Sequence, residues 1–144
     1  MDAFDADVLI YACVPSHELG RRVRTLFPIE AQDPPALSLA GVGSVLLNPE
    51  VLSMPLRSRA ADELAGLASL LGRLSLLPVD TSTARLATAL AASYGLGAVD
   101  AVHLATAVNA SANRFVTNNV KDFPKSIVEI DITYPTDLAD PEDP

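Results

Sequence analysis

The stretch from Tyr94 to Phe123 allows few folds. After Gly95 and Gly97, residues Ala101, Leu104, Ala105 and Val108 keep the i, i+3, i+4, i+7 spacing of a helix with one buried face. Arg114 to Thr117 then predicts a short strand, followed by a polar turn. A lone acid stands at each change of backbone geometry: Asp100 where the helix starts, Asp122 just past the strand. The helix dipole alone accounts for a carboxylate in a first turn; a second acid where the next strand ends brings in a shared metal site as an alternative.

The remaining segments extend the alternation. Val8-Leu9-Ile10-Tyr11 follows Asp5 and Asp7, and a strand through Ala3 to Tyr11 would set both acids on one face. They would lie near its carboxyl end, where open parallel sheets bind ligands. Ser16 is expected to cap a helix from His17 to Phe27, closed by Pro28. Gln32 to Pro35 reads as a turn or extended linker, and Leu37 to Leu47 as a strand running into a buried helix that Asn48-Pro49 ends. Leu64, Leu67, Ala68 and Leu71 mark a helix up to Gly72, Leu74 to Val79 a strand, Asp80 or Thr81 the next cap, and Ala84 to Tyr94 another helix. Ile127 to Ile132 alternates like an edge strand. Strands separated by helices imply an α/β domain with a mainly parallel sheet. One domain over residues 1–137 is expected, with 138–144 as a disordered acidic tail.

Composition narrows the function. A formal net charge of −8 argues against a general nucleic-acid coat, whose affinity comes from Lys and Arg, but leaves room for a nuclease working through bound cations. With no Trp and only 5% aromatic residues, stacking platforms for single strands are scarce. Cys13 is the only cysteine, so a reducing, cytoplasmic setting is expected. The acidic start Met-Asp-Ala-Phe-Asp-Ala-Asp is unlike a signal peptide, and no apolar run is long enough for a bilayer, so no membrane partner is expected.

Asp5, Asp100 and Asp122 each follow a strand or open a helix. Carboxylates gathered at one sheet edge raise one another's pKa, and Mg²⁺ or Mn²⁺ relieves that repulsion through oxygen ligands. A metal so held activates water and stabilises charge on a phosphodiester. The local reading stands beside it: Asp7 capping a turn, Asp100 its helix, Asp122 an Asx turn ahead of Pro124.

Three segments carry a family resemblance: Phe4-Asp-Ala-Asp-Val-Leu-Ile-Tyr-Ala12, Ala98-Val-Asp-Ala-Val-His-Leu-Ala-Thr-Ala107 and Phe115-Val-Thr-Asn-Asn-Val-Lys-Asp-Phe-Pro124. In order and spacing the chain resembles PIN-domain proteins over residues 3 to 137, above all VapC-type toxins of bacterial toxin–antitoxin pairs. The resemblance implies a three-layer α/β/α sandwich and an Mg²⁺- or Mn²⁺-dependent endoribonuclease, with RNA as substrate, an antitoxin as partner and a homodimer as assembly. It puts the family acids on Asp5, Asp100 and Asp122, or on the position of Asn119 for the last. Asp7 takes the place of a usual Asn, and Thr117 matches a Thr that orients an acid or a water. The family pattern Ser-x-x-x-x-x-Glu-Val-Leu, aligned on Ser38 to Leu46, sets Ser44 where a helix Glu belongs. Glu50, past Pro49, is not expected to replace it, and Asp7 is the better source of the missing charge. Both an active nuclease and a catalytically weakened, partner-binding module follow from that departure.

Asp5-Ala6-Asp7-Val8 also resembles the nucleophile motif of haloacid-dehalogenase-like phosphatases, though the only lysines are Lys121 and Lys125. His103 is expected in a structural role, and Cys13 as a small buried hydrophobe. Arg21, Arg22 and Arg24 read equally as phosphate contacts or as a solvated helix face.

Overall fold

A computed structural model describes residues 1–28 and 38–143. The linker expected at Gln32 to Pro35 and the start of the segment from Leu37 lie outside the described residues. Strands β1 (Asp2–Phe4), β2 (Gly41–Ser44), β3 (Leu74–Leu77), β4 (Arg114–Val116) and β5 (Asp131–Thr133) form one sheet in the order β3-β2-β1-β4-β5. Every neighbouring pair is parallel. Helices α1 (Ala6–Ala12) and α2 (Glu18–Arg24) lie between β1 and β2 in the chain, α3 (Leu47–Arg57) and α4 (Ala61–Leu71) between β2 and β3, α5 (Thr81–Tyr94) and α6 (Ala98–Asn109) between β3 and β4.

The period of two along the strands explains the layers. Ala3 pairs with Phe115 and Phe4 with Val116, so alternate side chains leave opposite faces. Ala3 and Phe115 join a core with Ala87 and Leu90 of α5 and Ala101, Leu104 and Ala105 of α6. Phe4 and Val116 join a second core with Val8 and Leu9 of α1, Val23 of α2, Leu47 and Val51 of α3, and Leu67 and Leu71 of α4. The fold is therefore the expected α/β/α sandwich with a parallel sheet. Phe4 and Phe115 are each 1% exposed, and burying such a ring contributes about 2–3 kcal/mol to holding its layer.

Three local expectations are corrected. The apolar run after Asp5 is helix, because β1 stops at Phe4 and Asp5 caps α1, its Oδ1 accepting from Ala6 N at 2.8 Å. Asp5 and Asp7 thus sit at a helix start rather than on a strand face. His17, not Ser16, caps α2, with Nδ1 accepting from Gly20 N at 3.2 Å. Asn48-Pro49 lies inside the first turn of α3, where proline is tolerated because that turn's N–H groups have no helical partner. Asp80 caps α5 as expected, and Gly95 closes it in the left-handed region at φ 68°. Ile127 and Ile130 are buried ahead of the shorter β5.

The arginines of α2 neither face solvent freely nor stand open to phosphate. Arg21 donates to Asp140 Oδ2 at 3.2 Å, Arg22 to the carbonyls of Thr136 and Leu138, and Arg24 to those of Ala12, Val14 and Pro15. Leu138 is buried in the second core, so the chain beyond the 3-10 turn Pro135–Asp137 packs on α2 there. Cys13 is half-buried against that core. Among the described residues no helix is long and apolar enough to cross a membrane.

The strand order fixes where a site can form. From central β1 the chain moves to β2 and β3 on one side, then returns to add β4 and β5 on the other. The carboxyl ends of β1 and β4 therefore flank the topological switch point, where a crevice opens in doubly wound sheets.

Candidate metal centre at the sheet edge

Asp5 leaves the end of β1 and is buried, 6% exposed. Asp5 N donates to Val116 O at 2.9 Å, continuing the ladder one residue past the strands. Its Oδ2 accepts from the Thr117 hydroxyl at 2.8 Å, and Thr117, fully buried, accepts in turn from Asn119 N at 3.1 Å. The Asn119 side chain donates to Asp122 Oδ2 at 2.9 Å while its own carbonyl accepts from Asp122 N. One hydrogen-bonded chain thus runs from Asp5 through Thr117 and Asn119 to Asp122. Asn119 therefore holds Asp122 rather than replacing an acid.

Asp7, in the first turn of α1, accepts from Val8 N at 2.7 Å and from Asn118 N at 3.0 Å, clipping that helix to the turn after β4. Asp100 stands in the first turn of α6, capped by Gly97 without a side-chain bond. Glu50, on α3, bonds through Oε1 to Nε2 of His103 on α6, joining the two helix layers over the sheet edge. Ser44 ends β2 and accepts from Leu46 N at 3.1 Å, a local turn role.

From the sequence Glu50 was considered and set aside, Asn119 was considered only as the place of the last acid, and Asn118 was not singled out. The signal for Glu50 was present: started at Ser44, the Ser-x-x-x-x-x-Glu-Val-Leu spacing ends on Glu50-Val51-Leu52. Treating Pro49 as a helix stop hid it.

Electrostatics ties these groups into one field. Burial pushes the Asp5 carboxyl up and Glu50 adds to this, against the Thr117 hydroxyl, the His103 charge and the Ala6 N–H. Burial and then the Asp5 charge push Asp7 up to about 7, against the N–H groups of Asn118 and Val8, with Asp100 adding to the rise. Asp100 is raised by burial first, then by Asp5 and Asp122, with Glu50 adding and His103 opposing. Carboxylates that penalise one another's ionisation are a favourable setting for a cation.

Among the described residues, no three His, Cys, Asp or Glu side chains converge tightly enough to enclose a metal ion by themselves. The donors are all hard carboxylate oxygens, Asp5 buried and Asp7 and Asp100 partly so. That set suits Mg²⁺ or Mn²⁺, ions bound through one or two carboxylates while retaining waters, and does not suit a closed zinc cage.

The molecule is thus a parallel α/β/α sandwich with Asp5, Asp7 and Asp100 near its switch point. The PIN domain family matches residues 4–125, and the chain belongs to that family. A toxin-antitoxin complex from Klebsiella pneumoniae contains a chain 21% identical, with a TM-score of 0.71, over 94% of this chain and 98% of that one. VapBC2 from Rickettsia felis bound to a DNA fragment from its promoter contains another, 17% identical, with a TM-score of 0.65, over 92% and 97%. At these identities the likeness is one of fold. A comparison with curated protein sequences finds no match.

Proposed function

We propose that this chain is a divalent-metal-dependent endoribonuclease and the toxin of a toxin–antitoxin pair. The observation that carries this reading is that Asp5 at the end of β1, Asp7 on α1 and Asp100 on α6 are all held above the ordinary carboxylate range by burial and neighbouring acids at the sheet's carboxyl edge, where Thr117 also fixes Asp5. Family membership supports it, since PIN proteins are generally nucleases dependent on divalent metal. Asp5, Asp100 and Asp122 hold Mg²⁺ or Mn²⁺, with Asp7 adding charge and a further oxygen. When bound, such an ion lowers the pKa of a water and stabilises charge on the phosphodiester under attack. Thr117 fixes Asp5 by its hydroxyl, and Asn119 fixes Asp122, so both acids are oriented before substrate arrives.

The alternative, a catalytically weakened partner-binding module, rests on Ser44 in place of a helix Glu; the charge of Glu50, which acts on Asp5 and Asp100, favours the active enzyme. RNA as substrate, a homodimer and a cytoplasmic setting belong to the same proposal. So does an antitoxin partner, supported by the toxin–antitoxin complexes that share the fold. The test is RNA cleavage with Mg²⁺ or Mn²⁺ by the purified chain, expected to vanish in Asp5→Asn and in Asp100→Asn. Cleavage retained by both variants rejects the assignment.

A further inference from the structure

Of the three arginines on α2, Arg24 donates from both terminal nitrogens, to the carbonyls of Ala12, Val14 and Pro15. Arg21 and Arg22 are served less well. Among the described residues Arg21 makes one hydrogen bond, from Nη2 to Asp140 Oδ2, and Arg22 reaches the carbonyls of Thr136 and Leu138 through Nη1. The Nε atoms of both are buried without a hydrogen-bond partner. A buried donor left unserved is costly, so two on one helix mark a place that can take more acceptor oxygen than it holds here.

The acceptor in place is a single oxygen. Asp140 Oδ1 accepts from Glu142 N at 3.0 Å, which leaves Oδ2 for the two guanidinium groups, 3.2 Å from Arg21 and 3.9 Å from Arg22. Glu142 Oε2 and Glu18 Oε1 each stand 3.6 Å from a guanidinium nitrogen, past hydrogen-bond reach. The segment that brings Asp140 here is pinned at Leu138, buried in the second core, whereas Ala139 and Pro141 to Asp143 are exposed. Its carboxylates can therefore leave the arginines while Leu138 stays seated. A phosphate group presents at least two anionic oxygens and fits the guanidinium fork bidentately, supplying what one carboxylate oxygen does not.

We propose that Arg21 and Arg22 form a phosphate-binding site that the chain's own Asp140 fills until a phosphate displaces it. The site uses none of the acids at the sheet edge. With RNA as the source of the phosphate it gives the proposed nuclease a grip on the backbone, and in that form it rests on the nuclease reading; inorganic phosphate is the other source of the same chemistry. In a chain of formal net charge −8 such a grip needs adjacent cations, and a self-supplied acid keeps them paired while no phosphate is bound.

The test is made on the full chain in EDTA, so that no RNA is cut. Asp140→Asn removes the internal competitor and is expected to bind a fluorescein-labelled single-stranded RNA about fivefold more tightly than wild type, the equivalent of one ion pair. Adding Arg21→Gln and Arg22→Gln is expected to cancel that gain and to flatten the slope of log affinity against log salt by about 0.7, one phosphate contact. Inorganic phosphate titrated into Asp140→Asn is expected to shift the side-chain Nε resonances of Arg21 and Arg22. Such shifts with equal RNA affinity in wild type and Asp140→Asn assign the site to free phosphate rather than to RNA. Nε resonances unmoved by phosphate and by RNA alike, or an RNA gain that survives loss of both arginines, overturn the proposal. Urea unfolding checks the variants; should the arginine substitutions not fold, the resonances of Asp140→Asn, in which both arginines are intact, decide alone. Because EDTA removes divalent metal, these readings stand apart from the nuclease assignment, which a lack of metal-dependent cleavage by the wild-type chain would strike by itself.

Discussion

Asp7→Asn removes one charge from the crevice and tests whether its acids repel as their placement implies. Asp7 is raised from 3.8 to about 7, roughly three units, and each unit corresponds to about 1.4 kcal/mol. The folded state therefore holds the proton more tightly than the unfolded state. The penalty is absent below about pH 4, grows as pH rises and is complete above pH 7. Between about pH 5 and pH 8 the full shift would remove nearly 3 kcal/mol; screening by water and coupling to Asp5 and Asp100 reduce this to about 1–2 kcal/mol. The substitution also removes one of the two N–H bonds that Asp7 accepts, a cost of about 1 kcal/mol at every pH, so the slope rather than the offset carries the information. Urea unfolding in EDTA across that range should show the wild-type chain losing about 1–2 kcal/mol more than the variant. Parallel pH profiles would refute the repulsion on which the cation site depends.

Thr117→Val should cost about 1–2 kcal/mol in urea unfolding, because the buried Asp5 carboxylate loses its hydroxyl donor, and should weaken Mn²⁺ uptake in calorimetry. Mg²⁺ at about a hundred times its dissociation constant should stabilise the wild-type chain by about 2.7 kcal/mol in thermal unfolding, and by much less in Asp100→Asn. A gain of equal size in both chains would locate the ion elsewhere.

The late helix and the strand after it were legible because periodicity and turn chemistry agree there: Ala101, Leu104 and Ala105 are all buried, and Gly95 takes the positive φ that closes α5. The first strand was not legible. Three residues, of which Ala3 and Phe4 are buried on opposite faces, are too few to show alternation, and the run they lead into, Val8 to Tyr11, is as apolar as a strand. Asp5 was singled out nonetheless, for its place near the end of β1, although its cap geometry belongs to a helix. Asp7, Asp100 and Asp122 could be named because each adjoins a break in backbone geometry, whereas Thr117 was named only through the family resemblance. Glu50 was considered and set aside, because Pro49 was read as a helix stop rather than admitted to a helix start, and its contact with a histidine in another layer leaves no mark in the sequence. The arginines of α2 were largely opaque for a similar reason: apart from the i,i+4 pair of Arg22 with Glu18, their partners lie more than a hundred residues away or are carbonyls, which leave no trace in composition.

The bond from Thr117 to Asp5 joins residues 112 apart, and β1 has β4 as its neighbour on one side. A growing polypeptide has made Asp5, Glu50 and Asp100 before the strand that completes their surroundings exists. Chains that stop short of β4 therefore lack both the strand that pairs with β1 on that side and the hydroxyl that fixes Asp5.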